Sequence, residues 1–148
     1  MDLVLVDTNI FVYALDADSP HHATARKALA GLPDAGCEAA VSPQILFELY
    51  AQITHRRSRP RPLSPVAAAE IVLLIRNESR LLIPGEMSVA YTLEWAVSRR
   101  KEGADVYDAT LVGCMKEFGV RCLLTADSGF QSEGGIAVVN PLRGQRLP

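Results

Sequence analysis

The sequence predicts an α/β fold, a three-layer α/β/α sandwich around a mostly parallel central sheet. Three observations point there. Short apolar runs such as Leu3 to Val6 and Arg121 to Thr125 are of the kind buried on both faces of a sheet. Segments of helical period stand between them, the alternation that builds parallel sheets. A chain of 148 residues with 49% hydrophobic content also has the bulk for a well-packed core. Residues 1–148 are read as a single domain.

Taken in order, Leu3 to Val6 is the first strand, and it stops at Asp7. Pro20 to Leu32 has helical spacing through Ala25, Ala28 and Leu29 until Pro33 stops it. Glu38 to Val41 is the second strand. Ser42-Pro43 opens a helix to about His55, with serine as the cap and proline in the first position. The loop "RRSRPRP" follows. Ser64-Pro65 repeats the cap signal for a helix through Ile75. Its segment "VAAAEIVLLI" is apolar nearly all round, so that helix is either fully buried or covers a partner. Leu81 to Ile83 is a short strand. Residues 86 to 101 form a helix whose closing "RRK" complements the negative helix end before Gly103. Asp105 caps a helix from Val106 to Phe118, which Gly119 ends. Arg121 to Thr125 and Ile136 to Val139 are the last strands.

Composition narrows the function classes. Fifteen basic and seventeen acidic residues leave a net charge of −2, so no global excess of positive charge announces a nucleic-acid binder, although local patches matter more than the sum. No apolar run reaches the length of a membrane span, and no signal peptide precedes the first strand; a cytoplasmic protein is expected. Cys37, Cys114 and Cys122 lack metal-type spacing and are read as buried reduced thiols. His21, His22 and His55 are read as surface residues, which argues against zinc.

The acids carry the chemistry. "LVLVD" and "CLLTAD" are apolar strands ending near Asp7 and Asp127. If the strands are parallel, both acids emerge on one rim, the edge where such sheets bind ligands; each alone is equally a turn or cap residue. Asp108 falls within the apolar stripe Leu111, Val112, Met115 and Phe118, so it points inward, which a role at the third helical position explains only in part. Glu48 flanks the face made by Ile45, Leu46, Leu49, Tyr50 and Ile53, where it either reaches a cleft or is solvated. Four converging carboxylates would repel one another and raise one another's pKa values. A divalent ion such as Mg²⁺ or Mn²⁺, which prefers oxygen ligands, balances them.

The stretches "VDTNIF", "SPQILFELY", "VYDATLVG" and "LLTADSGF", in that order, resemble the PIN domain family, and most closely its VapC-type toxins. The resemblance implies an α/β/α sandwich and an Mg²⁺- or Mn²⁺-dependent endoribonuclease, with one or two ions per subunit and a 5′-phosphate product. It implies Asp7, Glu48, Asp108 and Asp127 as the catalytic and metal-binding acids. Thr8 and Asn9 match the polar positions after the first acid, with Asn9 orienting Asp7, and Thr125 matches the hydroxyl residue before the last. Asp105, three residues before Asp108, is the other candidate for the third position. The implied partners are an RNA substrate, a VapB-type antitoxin and a second copy of the chain in a homodimer, with no membrane. A housekeeping PIN nuclease or a non-catalytic RNA- or protein-binding module is the alternative.

Two basic clusters complete the reading. Arg56, Arg57, Arg59 and Arg61 crowd the proline-broken loop and are candidates for RNA or partner contact. Arg99, Arg100 and Lys101 are read as charge at a helix C-terminus.

Overall fold

The computed structural model describes residues 1–132 and 134–147. Its elements are β1 (Asp2–Val6), α1 (Thr8–Leu15), α2 (His22–Ala30), β2 (Cys37–Val41), α3 (Pro43–Thr54), α4 (Pro65–Asn77), β3 (Arg80–Leu81), α5 (Glu86–Ser98), α6 (Val106–Phe118), β4 (Cys122–Leu124) and β5 (Ala137–Val139). The strands form one sheet in the order β3-β2-β1-β4-β5, and every pairing is parallel. Consecutive residues of β1 and β4 are all buried, Val4 to Val6 and Cys122 to Leu124 alike, because helices cover both faces. Helices α1 to α4 pack in one connected group, and α5 packs on α6.

The strand order places the site. The chain runs outward from β1 through β2 to β3, then returns to lay β4 on the other side of β1. The order therefore reverses between β1 and β4, and a crevice opens beyond their carboxyl ends. Asp7 and Asp127 follow those two ends.

Local chemistry sets the helix starts. Ser42 Oγ accepts from the Ile45 N–H at 3.3 Å and Ser64 Oγ from the Ala67 N–H at 3.2 Å, each followed by proline, as the sequence predicts. The N-terminus of α5 is capped from another helix. The Glu117 carboxylate, near the end of α6, accepts from the Gly85 N–H at 2.8 Å, the Ser88 N–H at 3.2 Å and the Ser88 hydroxyl. Between the two helices runs a seam of small residues. A Cβ on Gly113 would lie 2.6 Å from the Ser88 carbonyl oxygen and closer still to the Thr92 hydroxyl, so only glycine permits this approach.

Several sequence expectations are corrected. Helix α1 is absent from the sequence reading, because "TNIFVYAL" is rich in β-branched and aromatic residues of weak helix preference. Helix α2 is shorter than the predicted Pro20 to Leu32, and β3 is Arg80–Leu81, leaving Ile83 exposed. Helix α5 ends at Ser98, not at 101. Asp105 makes no side-chain cap bond to α6 and sits in a 3₁₀ turn, Gly103–Asp105, that leads into it. Phe118, expected on the buried stripe, is 40% exposed; it is the last residue of α6, which the left-handed Gly119 ends. Helix α4 buries only Ala68 fully and leaves Val66, Leu73 and Leu74 exposed. Cys37, Cys114 and Cys122 are buried free thiols, and burial pushes Cys114 and Cys122 each up to about 11. Among the described residues, no helix is long and apolar enough to cross a membrane.

Candidate active site

Val6 of β1 lies opposite Leu124 of β4, so the residues that follow leave the sheet side by side. The Asp7 N–H still bonds the Leu124 carbonyl at 2.9 Å. Asp7 then caps α1 from an extended backbone, its Oδ1 accepting from the Thr8 N–H at 2.7 Å. Its Oδ2 accepts from the Thr125 hydroxyl at 2.7 Å and from Asn9 Nδ2 at 3.2 Å. A capping role and an inward-held carboxylate thus coincide in one residue.

Thr125 is fully buried and uses its whole hydroxyl. It donates to Asp7, accepts from the Asp127 N–H at 3.0 Å and accepts from Asn9 Nδ2 at 3.2 Å. Asn9 also accepts from the Ala126 N–H through Oδ1 at 2.9 Å, which ties α1 to the end of β4. Asp127 turns back on its own loop, Oδ1 accepting from the Gly129 N–H at 2.7 Å.

Glu48 arrives from α3. Its Oε2 lies 3.1 Å from the buried Thr8 hydroxyl, which also faces the Ile45 carbonyl at 3.4 Å. Its Oε1 accepts from Gln44 Nε2 at 2.8 Å, and Gln44 Oε1 accepts from the Thr110 hydroxyl of α6 at 2.7 Å. Gln44 and Thr110, which bond in series onto Glu48, are neighbours that the sequence reading passed over. Gln44, one helical turn before Glu48, and Thr110, two residues after Asp108, resemble solvated surface, and only the tertiary fold brings α3 to α6.

Asp108 is half-buried in the first turn of α6. Burial raises its pKa first, then the charge of Asp127; Lys101 lowers it, and Asp105 and Glu48 raise it again. Burial likewise raises that of Asp7. The hydrogen bonds from Thr125 and Thr8 counter this, and the charges of Glu48 and Asp108 add to the rise. The four acids therefore share one electrostatic field. Among the described residues, no three His, Cys, Asp or Glu side chains close into a ready-made ion cage. The acids are linked through shared hydrogen bonds and charge across an open cleft.

The arginine loop lies outside this arrangement in the contacts it makes. Arg56, Arg57 and Arg61 are exposed and Arg59 is half-exposed, and Arg61 pairs loosely with Asp18 at 3.8 Å. The cations that line the cleft beside Asp108 are Arg99 and Lys101, from the cluster read as simple helix-end charge. Asp105 is exposed and contributes to the site only through its effect on Asp108.

Against known proteins, the PIN domain family profile matches residues 4–134. The chain is 30% identical over 145 residues to ribonuclease VapC43 of Mycobacterium tuberculosis, covering 97% of this chain and 98% of that one. In fold it is similar to the crystal structure of VapC20 of Mycobacterium tuberculosis, described as a sarcin–ricin loop cleaving toxin. The TM-score there is 0.66 at 22% identity, covering 88% of this chain and 98% of that one. It is also similar to VapBC-1 of nontypeable Haemophilus influenzae, with a TM-score of 0.69 at 16% identity over 95% of this chain and 98% of that one.

Proposed function

The chain belongs to the PIN domain family, and from that premise we propose that it is the endoribonuclease toxin of a VapBC-type toxin–antitoxin pair. It hydrolyses RNA phosphodiester bonds with the help of Mg²⁺ or Mn²⁺. The observation that carries this reading is the meeting of Asp7, Glu48, Asp108 and Asp127, from four separate elements, at the rim where the strand order reverses.

The donor set fits such an ion. All four groups are carboxylates, the hard oxygen ligands that Mg²⁺ and Mn²⁺ take. The cleft is open, which suits an ion that keeps waters and is held by a few carboxylates plus substrate phosphate. Their mutual repulsion is the cost that a divalent charge offsets. Asp7, Glu48, Asp108 and Asp127 would hold the ion or ions. When bound, the ion activates water and stabilises charge on the phosphoryl group.

The chain's own residues supply orientation. Thr8, Asn9 and Thr125 fix both oxygens of Asp7, and Gln44 and Thr8 fix those of Glu48. A carboxylate locked in this way does not reorganise as charge develops, which is where electrostatic catalysis gains.

The partners follow from the same reading: an RNA substrate, a VapB-type antitoxin and a second copy in a homodimer, in the cytoplasm. Exposed apolar residues on α4 (Val66, Leu73, Leu74) and on α5 (Val89, Leu93, Val97) offer surface for protein partners. The test is to incubate the purified protein with structured RNA and Mg²⁺ or Mn²⁺, beside Asp7→Asn and Asp108→Asn. Cleavage by wild type that both variants lose supports the reading; equal cleavage by all three overturns it.

A further inference from the structure

Beside Asp108 the cleft continues into a cavity of about 190 Å³ lined by Trp95, Arg99, Lys101, Gly129, Phe130 and Gln131. Its walls are unlike the acid rim. The Trp95 ring has the Lys101 ammonium 5.6 Å from its centre and the Arg99 guanidinium at 5.7 Å. Phe130, half-buried against the core, also lines the cavity. Lys101 is close enough to Asp108 to act on its charge.

The backbone is built to put Lys101 there. Helix α5 ends in a six-residue closure, in which the Lys101 N–H bonds the Ala96 carbonyl at 2.9 Å and the Arg100 N–H bonds the Val97 carbonyl at 3.2 Å. That closure needs a left-handed residue, usually glycine. Here it is Arg100, at φ 52°, the one non-glycine residue with positive φ among the described residues. A non-glycine residue holds this left-handed position at a steric cost. The turn carries the chain back over the end of α5 and lays Lys101 against Trp95.

We propose that this cavity is the subsite for the nucleotide next to the scissile phosphate, its base held between Trp95 and Phe130 and its phosphate by Lys101. Aromatic rings and guanidinium planes are the surfaces that take unstacked RNA bases. The cavity is smaller than the roughly 300–1,000 Å³ of a site for a drug-sized ligand, a size that suits one planar base. This subsite rests on the nuclease reading above and deepens it.

Trp95 is the sole tryptophan of the chain, so its fluorescence reports the subsite directly. The Asp7→Asn protein, which should not cleave, is titrated with a short single-stranded oligoribonucleotide, with an abasic ribose-phosphate oligomer of equal length, and with an acidic peptide. The base-bearing oligomer should quench Trp95 saturably, and the abasic one should bind roughly fivefold or more weakly and quench little. Lys101→Ala should lower the slope of log affinity against log salt by about 0.7, one phosphate contact on a single strand, and Lys101→Arg should restore it. In cleavage by the otherwise wild-type protein, Trp95→Leu should raise KM with kcat little changed, and Trp95→Phe should rescue it. Saturable RNA binding without quenching, an unchanged salt slope for Lys101→Ala, or equally tight quenching by the acidic peptide would each overturn the proposal. Its failure is separable from that of the nuclease reading. Cleavage that depends on Asp7 and Asp108 but ignores Trp95 and Lys101 removes the subsite alone, and absence of any cleavage by wild type removes the nuclease reading.

Discussion

Replacing Thr125 with valine keeps the shape of a fully buried side chain and deletes only its hydroxyl. Three hydrogen bonds end there: one donated to Asp7 at 2.7 Å, one accepted from the Asp127 N–H at 3.0 Å and one from Asn9 at 3.2 Å. A bond to a charged group contributes about 1.5–3 kcal/mol and a neutral one about 0.5–1.5 kcal/mol. Asp7 and Asp127 are only half-buried, so water recovers part of this, and a net loss of roughly 2–4 kcal/mol is expected. At about 2–4 °C per kcal/mol for a chain of this size, Tm should fall by roughly 5–15 °C. The loss should also depend on pH. Asp7 has a folded-state pKa above its ordinary 3.8, and the Thr125 bond favours the ionised form. The penalty is therefore full above the variant's still higher pKa and shrinks as pH falls from there through the wild-type value. The acid limb of the activity profile should move to higher pH, because Asp7 without its donor protonates more readily. Thermal unfolding by circular dichroism in EDTA, at neutral pH and about pH 4, with Thr125→Ser as control, measures the stability loss, and cleavage rate against pH with Mn²⁺ present measures the acid limb. A loss under about 1 kcal/mol, against the bond energies above, or an equal loss at both pH values, would refute the reasoning.

Three further outcomes follow from the geometry. Asp7 and Asp108 both have raised folded-state pKa values, so the native state holds their protons more tightly than the unfolded chain. Their contribution to metal-free stability is unfavourable at neutral pH and is relieved as pH falls toward 3.8. Asp108→Asn should accordingly raise Tm in EDTA at neutral pH while reducing the rise on adding Mn²⁺, about 2.7 kcal/mol for wild type at one hundred times Kd; calorimetry with and without metal checks both signs. Gly113→Ala gains about 1 kcal/mol of helix preference but drives a Cβ to 2.6 Å from the Ser88 carbonyl oxygen. Overpacking of this kind costs about 1–3 kcal/mol, and rigid backbone places it at the upper end. Urea unfolding should show a net loss of about 1–2 kcal/mol from these opposing effects. Arg100→Gly relieves a left-handed backbone worth about 1–2 kcal/mol, partly offset by glycine's freedom in the unfolded chain. Tm should hold or rise while KM for RNA stays near wild type, because glycine keeps the left-handed turn that places Lys101; thermal unfolding paired with steady-state cleavage checks both.

Much of this site was legible because periodicity carries direction. Apolar strands ending in or near an acid put Asp7 and Asp127 on one rim if the strands were parallel, helical spacing turned Asp108 inward and left Glu48 on a flank, and the resemblance to the PIN family joined the four. What the sequence concealed has physical causes. Helix α1 escaped because Ile10, Phe11, Val12 and Tyr13 favour strands, and its start depends on Asp7 serving as both cap and site residue. The network through Gln44 and Thr110 joins helices far apart in the chain, and no local pattern encodes that meeting. Lys101 escaped because "RRK" before a glycine reads as a helix end at Gly103. The actual closure uses a left-handed arginine, against the usual preference for glycine. The helix after Ser64 was read as apolar nearly all round, either fully buried or covering a partner, and full burial was excluded only once Leu73 and Leu74 proved exposed.

The central claim is that Asp7, Glu48, Asp108 and Asp127 act together as one divalent-cation site. Titration calorimetry of Mn²⁺ into wild type and into Asp7→Asn, Glu48→Gln, Asp108→Asn and Asp127→Asn tests it most directly, with Asp105→Asn as the neighbouring control. The account predicts weakened binding in each of the four and near wild-type affinity for the control. Wild-type affinity in any of the four, or a loss for Asp105→Asn as large as that for Asp108→Asn, would contradict it.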